Sequence, residues 1–333
     1  MARILVTGGL GFIGSAFIRR SAADNDLRTI DLGTYAGDPA RLEGAPMEVD
    51  AIDITDAHLV KEAITRYEPH IIVHFAAETH VTRSEMSEDL FFRTNVDGTR
   101  NLLDAAVAAG ARFVVHVSTD EVYGPALERP FKEEDKALGE GRATSAYARS
   151  KAVADDTARS YSDRLQLAVV RPTNCFGPWQ HPEKAVARWT VRALQGKKLP
   201  VWGDGKYVRD WMYVDDACDA IWTVVEKGSP GEVYNIGPQG DVRTNVEIAR
   251  VIARAGGRSD DDVYLTEYDR PHHDRRYSVD ASKLRSLGWA PSGTLEERLR
   301  ATVDWYRTHE AWWSGLAAEA ETLYEDAHPR AQA

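Results

Sequence analysis

The sequence holds only two cysteines, Cys175 and Cys218, far apart and without the CxxC spacing or neighbouring histidines of a zinc site. A disulfide framework is therefore excluded, no metal site is expected, and a reduced compartment, the cytoplasm, is the natural reading. Long hydrophobic runs are missing as well. The opening "MARILVTGG" carries one Arg and an apolar stretch too short for a signal-peptide core, and no run approaches the roughly 20 residues that span a bilayer. Basic residues are in deficit: 41 Lys and Arg against 52 Asp and Glu leave a formal charge of −11, which argues against binding nucleic acid or an anionic membrane surface. An anionic small substrate stays open where cations gather locally. Internal repeats and low-complexity tracts are also lacking.

What the chain does have is alternation. Apolar β-type runs at residues 4–7, 29–32, 71–75, 113–117 and 167–170 are separated mostly by segments with helical periodicity, such as "AHLVKEAITRYE" and "TRNLLDAAVAAG". Such alternation predicts an α/β fold, a Rossmann-type doubly wound parallel sheet. After Arg171 the style changes to "RPTNCFGPWQHPEK", rich in Pro, Gly and aromatics, and its tryptophans need a core of their own. The division expected is a dinucleotide-binding domain over 1–173 and a smaller C-terminal lobe over 174–333, with the chain returning to the first domain near 210–238. "TLEERLRATVDWYRTHEAWW" reads as one amphipathic segment, and the final "EDAHPRAQA" as a frayed end.

Three local patterns carry chemistry. "ILVTGGLGFIG" sets Gly8, Gly11 and Gly14 between the first strand and a helix, where a tight turn, close approach of backbone to a pyrophosphate and close helix packing each call for a residue without Cβ. Asp31 closes the second strand and is placed to accept hydrogen bonds from an adenosine ribose. Its charge would repel the extra phosphate of NADP, so NAD is the expected cofactor. Asp53 and Ile54 follow the next extended stretch and could meet the adenine or simply lie on the surface. "VVHVSTDEVYG" runs a buried strand straight into Thr119, Asp120 and Glu121, which taken alone is a polar turn and joined to a dinucleotide site is an acid/base cluster. Tyr147 and Lys151 in "YARSK" are four apart, hence on one helix face, where the ammonium is expected to lower the phenol's pKa and make it usable as a base.

With these motifs in hand, the sequence resembles the extended short-chain dehydrogenase/reductase family, and within it the branch that dehydrates nucleotide-linked sugars. The resemblance runs nearly the whole chain through "TYAG", "HFAAETHV", "STDEVYG", "HPEK", "LPVWGDG", "VRDWMYVDD", "YNIG" and "DRPHHDRRYSVD". It implies NAD-dependent dehydration of a hexose, foremost dTDP-glucose, by C4 oxidation, C5/C6 water elimination and hydride return to C6. The implied catalytic residues are Thr119, Asp120, Glu121, Tyr147 and Lys151: Tyr147 takes the 4-hydroxyl proton, Thr119 holds that oxygen, Lys151 anchors the nicotinamide ribose, Glu121 removes the C5 hydrogen and a protonated Asp120 protonates the departing 6-hydroxyl. The implied cofactor contacts are Gly8, Gly11, Phe12, Ile13, Gly14, Asp31, Asp53, Ile54, Ala76, Tyr147 and Lys151. Those to the substrate are His80, Thr119, Asn174, Lys184, Trp202, Arg209, Asn245, Arg270 and His273, placed largely by the smaller, substrate-binding lobe. The resemblance also implies a homodimer joined through the helices of "TRNLLDAAVAAG" and "YARSKAVADDTARSY".

The chain departs from the family's usual pattern at Thr82, where an acid is common, at Cys175 and Phe176, at Ala146 and at Trp202. These positions leave the base and sugar open. A sugar-nucleotide 4-epimerase or uronate decarboxylase shares the fold and the Tyr/Lys pair but generally lacks the full Thr-Asp-Glu run. A catalytically silent NAD-sensing regulator would be expected to have lost Tyr147 or Lys151; both are present.

Overall fold

The computed structural model describes residues 1–45, 47–80, 84, 87–137, 145–238, 240, 242–267 and 274–327, with side chains to residue 322. Its strands in chain order are β1 (Arg3–Thr7), β2 (Asp26–Asp31), β3 (Val49–Ala51), β4 (Ile71–His74), β5 (Phe113–Val117), β6 (Leu167–Pro172), β7 (Cys175–Phe176), β8 (Leu199–Trp202), β9 (Val208–Arg209), β10 (Met212–Tyr213), β11 (Val233–Ile236), β12 (Arg243–Thr244) and β13 (Val263–Thr266). Seven of them form one parallel sheet in the order β11-β6-β5-β4-β1-β2-β3. The chain winds outward from β1 to β3, then restarts on the other side of β1 with β4. That reversal opens a crevice at the carboxyl ends of β1 and β4, the place where open α/β sheets bind ligands.

The strands are apolar on both faces because helices cover both, which is why their sequences read as continuous hydrophobic runs. Ile4, Val6, Val115, Val117, Ala168 and Val170 point to one core with Phe17 and Ile18 of the helix Phe12–Ser21 and Ala217 and Ile221 of the helix Val214–Lys227. Leu5, Ile72, Val114, Leu167 and Val169 point to the other, against the helices Ala57–Tyr67 and Gly98–Ala109. Each such Val, Leu or Ile contributes roughly 1.5–3 kcal/mol by burial. Local signals end the helices where expected. Asp56 accepts from His58 N and Leu59 N at the start of one, and Gly110, at φ 66, stops another in the left-handed region.

The helix Ala146–Arg159 deserves separate mention because it carries Tyr147 and Lys151. Ser145 caps it by accepting Ala148 N at 3.1 Å. Its far half is fastened to β6 by a bidentate pair, Arg171 to Asp155 at 2.8 and 2.9 Å, with both side chains essentially out of solvent.

A separate core is built from Phe176, Trp189, Val201, Ile248, Ile252, Leu299 and Val303, drawn from β7, β8 and the helices Ala185–Leu194, Asn245–Ala255 and Leu295–Thr308. The chain's tail differs from the single amphipathic segment expected: the helix Leu295–Thr308 ends at His309, and a new helix, Glu310–Ala327, starts at the next residue. The cause is packing. His309 stacks on Trp305 at 4.1 Å, and Trp305 and Trp312 close around Trp179 at 4.8 and 5.0 Å, an arrangement a straight helix would not allow. The helix also runs to Ala327, into the stretch expected to fray. Among the described residues, no helix is long and apolar enough to cross a membrane.

Candidate active site

A cavity of about 670 Å³ lies over the crevice between β1 and β4 and extends beneath the smaller lobe. Its floor is the turn after β1. A Cβ built on Gly8, at φ 73, would lie 2.7 Å from Ala76 N, and one on Gly14 would lie 2.2 Å from Gly8 O, so both positions require glycine. Gly11 caps the helix Phe12–Ser21 with no side chain on its first amides, and Gly11, Phe12, Ile13 and Gly14 all line the cavity. Asp31 stands at the rim, its Oδ2 accepting from Leu10 N at 2.9 Å and its Oδ1 from Gly33 N at 2.8 Å. Each oxygen keeps a lone pair for a further donor. Asp53, Ile54 and Ala76 complete this side. Open backbone amides at a helix start, glycines that leave room for close approach and a carboxylate at the end of the second strand fit a dinucleotide without a 2′-phosphate.

At the end of β5 the run Thr119, Asp120 and Glu121 is indeed a turn, a 3-10 segment over Asp120–Tyr123 with Thr119 at its N-cap. It is a buried turn, however: the three side chains are 7, 2 and 9% exposed. Thr119 and Glu121 face the cavity, while Asp120 lies behind them with Oδ1 bonded to the Thr119 hydroxyl at 3.3 Å and Oδ2 without a hydrogen-bond partner among the described residues. Burial, then Glu121, then Asp210 push the Asp120 carboxyl well above its ordinary range, which favours its protonated form.

Tyr147 and Lys151 share one face of their helix and line the same cavity. The expectation that the ammonium lowers the phenol's pKa is not met. Burial and the nearby Glu121 push Tyr147 up, against a hydrogen bond from the Thr119 hydroxyl, while the Lys151 ammonium is turned away to the Val117 carbonyl at 2.8 Å. Burial brings Lys151 itself down to about 8. The backbone of Tyr147 is held from behind by residues the sequence did not flag. Asn95 Nδ2 donates to Ser150 Oγ at 2.9 Å, and Ser150 Oγ donates to the Tyr147 carbonyl at 2.8 Å.

The remaining wall comes from the segment after β4 and from residues beyond Thr173. His80, Asn174, Lys184, Trp202, Arg209 and Asn245 all line the cavity, whereas Arg270, His273 and Thr82 lie outside the described residues. The side-chain oxygens of Asn174 and Asn245 are buried without a hydrogen-bond partner among the described residues, as groups awaiting a polar ligand would be. Arg209 lies 4.4 Å over the Tyr277 ring and donates to the Val208 carbonyl at 2.7 Å. Also missed were Asp210, whose Oδ2 accepts from Ser278 Oγ at 2.9 Å and Val279 N at 3.2 Å, and Glu183, buried on the cavity wall. Both sat inside quoted motifs, "VRDW" and "HPEK", whose neighbours drew the attention.

Residues 4–237 match the NAD dependent epimerase/dehydratase family. The chain belongs to that family. Among relatives, the low-salt glycan biosynthesis protein Agl12 of Haloferax volcanii is 42% identical, the match covering 91% of this chain and 98% of that protein. A dTDP-glucose 4,6-dehydratase of Xanthomonas campestris pv. campestris is 39% identical over 95% of this chain and 96% of its own. Among solved structures, the dTDP-glucose 4,6-dehydratase DesIV of Streptomyces venezuelae, with NAD bound, superimposes with a TM-score of 0.88 at 40% identity, covering 94% of this chain and 99% of that one. The seven-stranded parallel sheet of this epimerase/dehydratase chain is of Rossmann type.

Proposed function

We propose that the protein is an NAD-dependent dehydratase of nucleotide-linked hexoses that converts dTDP-glucose into its 4-keto-6-deoxy product. The observation that carries the reading is the pair Asp120 and Glu121: two carboxyl groups on one buried turn, the first pushed towards its protonated form by burial and by the second, next to Thr119 and Tyr147. Pairs of acids whose surroundings push their pKa values apart suit elimination, which needs an acid and a base at once. The likeness of the chain to dTDP-glucose 4,6-dehydratases supports the same reading.

NAD, when bound, supplies the acceptor that takes hydride from C4 and the donor that later returns it to C6. Gly8, Gly11, Phe12, Ile13, Gly14, Asp31, Asp53, Ile54, Ala76 and Lys151 are the residues that would hold it. On the substrate, the Thr119 hydroxyl donates to O4 and Tyr147 takes the O4 proton. Tyr147 must therefore act as the phenolate, a form that burial and Glu121 disfavour and that a hydrogen bond from Thr119 favours before the substrate takes that donor. The carbonyl formed at C4 acidifies the C5 hydrogen. Glu121 removes that proton while Asp120, once its carboxyl turns from behind Thr119 towards the substrate, gives its own to the 6-hydroxyl, which leaves as water. Glu121 then returns the proton to C5. Asn174, Lys184, Trp202, Arg209, Asn245 and, by the resemblance alone, Arg270 and His273 hold the diphosphate and nucleotide. A 4-epimerase would leave Asp120 without a task.

A homodimer in the cytoplasm is part of the same reading. Leu102, Leu103 and Ala106 face into the chain's own core, so a subunit contact falls to the outward residues of the helices Gly98–Ala109 and Ala146–Arg159, and sedimentation at micromolar concentration tests it.

The deciding experiment uses dTDP-glucose deuterated at C4, with UDP-glucose run beside it. Loss of water with the label recovered at C6, and solvent deuterium at C5 when the reaction is run in heavy water, is the expected result. Label retained at C4 with C5 untouched would mark an epimerase and overturn the dehydratase reading.

A further inference from the structure

Glu183 is sunk out of water at 2% exposure, yet it stands on the cavity wall. A carboxylate there needs hydrogen-bond and cationic partners. It precedes the helix Ala185–Leu194, whose N-terminus favours negative charge. The adjacent His181 is not its counter-ion: His181 Nδ1 accepts the Glu183 backbone N–H at 3.3 Å, and burial lowers its pKa, so the ring is neutral. The partners come from other segments. Tyr35, on the loop that follows Asp31, donates its hydroxyl to Oε1 at 3.3 Å. His80, beyond the end of β4, sets Nε2 3.5 Å from Oε2. Lys184 sets Nζ 3.6 Å from Oε1 and also reaches the Thr79 carbonyl at 3.5 Å. One acid thereby gathers the loop beside the dinucleotide cradle, the segment after β4 and the first turn of a helix in the smaller lobe.

We propose that Glu183 is a positioning residue that holds His80 and Lys184 together in the cavity wall as the pair that receives the diphosphate of the nucleotide sugar, and ties that pair through Tyr35 to the cofactor loop. The inference rests on the nucleotide-sugar reading given above. Without the carboxylate, Lys184 loses an ion-pair partner and keeps the Thr79 carbonyl, so its side chain, already 35% exposed, turns more readily to solvent. The consequence falls on binding of the anionic half of the substrate. The chemistry at C4 to C6 belongs to other side chains.

Glu183→Gln keeps the shape and removes the charge. The expected result is a rise of about tenfold in KM for dTDP-glucose and in Kd for dTDP alone, with kcat within about twofold of the parent and bound NAD and melting temperature unchanged. Tyr35→Phe, which removes one partner and leaves the acid in place, is expected to shift the dTDP Kd by about threefold and keeps the test alive should Glu183→Gln not fold. In a double variant with Lys184→Met, the Glu183→Gln change is expected to add little, because both act on one contact. Wild-type dTDP affinity in Glu183→Gln, a fall in kcat at constant KM, or losses that multiply in the double variant would each overturn the proposal while leaving the dehydratase reading intact. Unmutated protein that binds neither dTDP nor UDP would overturn that reading first, and this proposal with it.

Discussion

The two sides of the cavity are built on opposite plans. On the cradle side, Gly8 and Gly14 shape the surface by having no side chain, and the carboxylate at the rim, Asp31, is held by backbone amides. On the opposite side, Tyr147 and Lys151, with Asp120 just behind the wall, are ionisable side chains that burial and their neighbours shift from their ordinary pKa values, and the carboxyl groups of Glu121 and Glu183 are likewise taken out of water. The cradle should therefore be sensitive to volume and indifferent to charge and pH, and the reactive wall the reverse.

The largest break in that comparison is expected from Gly14→Val. With even a Cβ only 2.2 Å from Gly8 O, the turn cannot close, so the purified variant should release no dinucleotide on denaturation and show no turnover at any pH. Turnover restored by changing pH would mean that the cradle is not governed by shape. Next comes Glu121→Gln, which preserves volume and removes the base. Dehydration should fall roughly a thousandfold while oxidation at C4 persists, seen as cofactor reduction without loss of water. Unchanged product formation would remove Glu121 from the chemistry. The smallest effect sharpens the comparison by titration. Lys151, lowered to about 8 by burial, is cationic at pH 7 and neutral by pH 9, so a basic limb in kcat/KM should appear near pH 8. The stability sign is opposite. The folded chain holds this proton less tightly than the unfolded one, so the group's penalty on folding is greatest below pH 8 and relaxes as pH rises towards its ordinary value of 10.5. An activity profile flat from pH 7 to 9.5 would detach Lys151 from catalysis.

The sequence was readable where contacts are local. The glycine turn, its strand and its helix occupy one short stretch, and Tyr147 and Lys151 are related by a single helical turn, so periodicity and steric argument reach them. It was not readable where the sheet supplies the neighbour. Pairing of β4 and β5 beside β1 brings Val117 O to Lys151 across 34 positions, and no local pattern says that the ammonium prefers that carbonyl to the phenol. Glu183 meets Tyr35 across 148 positions for the same reason. The break at His309 was hidden because both flanking helices continue one amphipathic pattern, and only the ring of tryptophans around Trp179 requires the bend.

The buried pair between Asp155 and Arg171 sits one helical turn beyond Lys151 and two beyond Tyr147. Breaking such a pair costs about 3–5 kcal/mol, a large part of a typical domain's total stability. The amides of this helix should then exchange with solvent deuterium only when the whole sheet unfolds, together with those of β5 and β6. Tyr147 and Lys151 are then expected to sit on one of the most slowly opening parts of the molecule. The exchange rates of the segments that bear Lys184, Trp202 and Asn245 should change on dTDP binding while those of the helix Ala146–Arg159 do not.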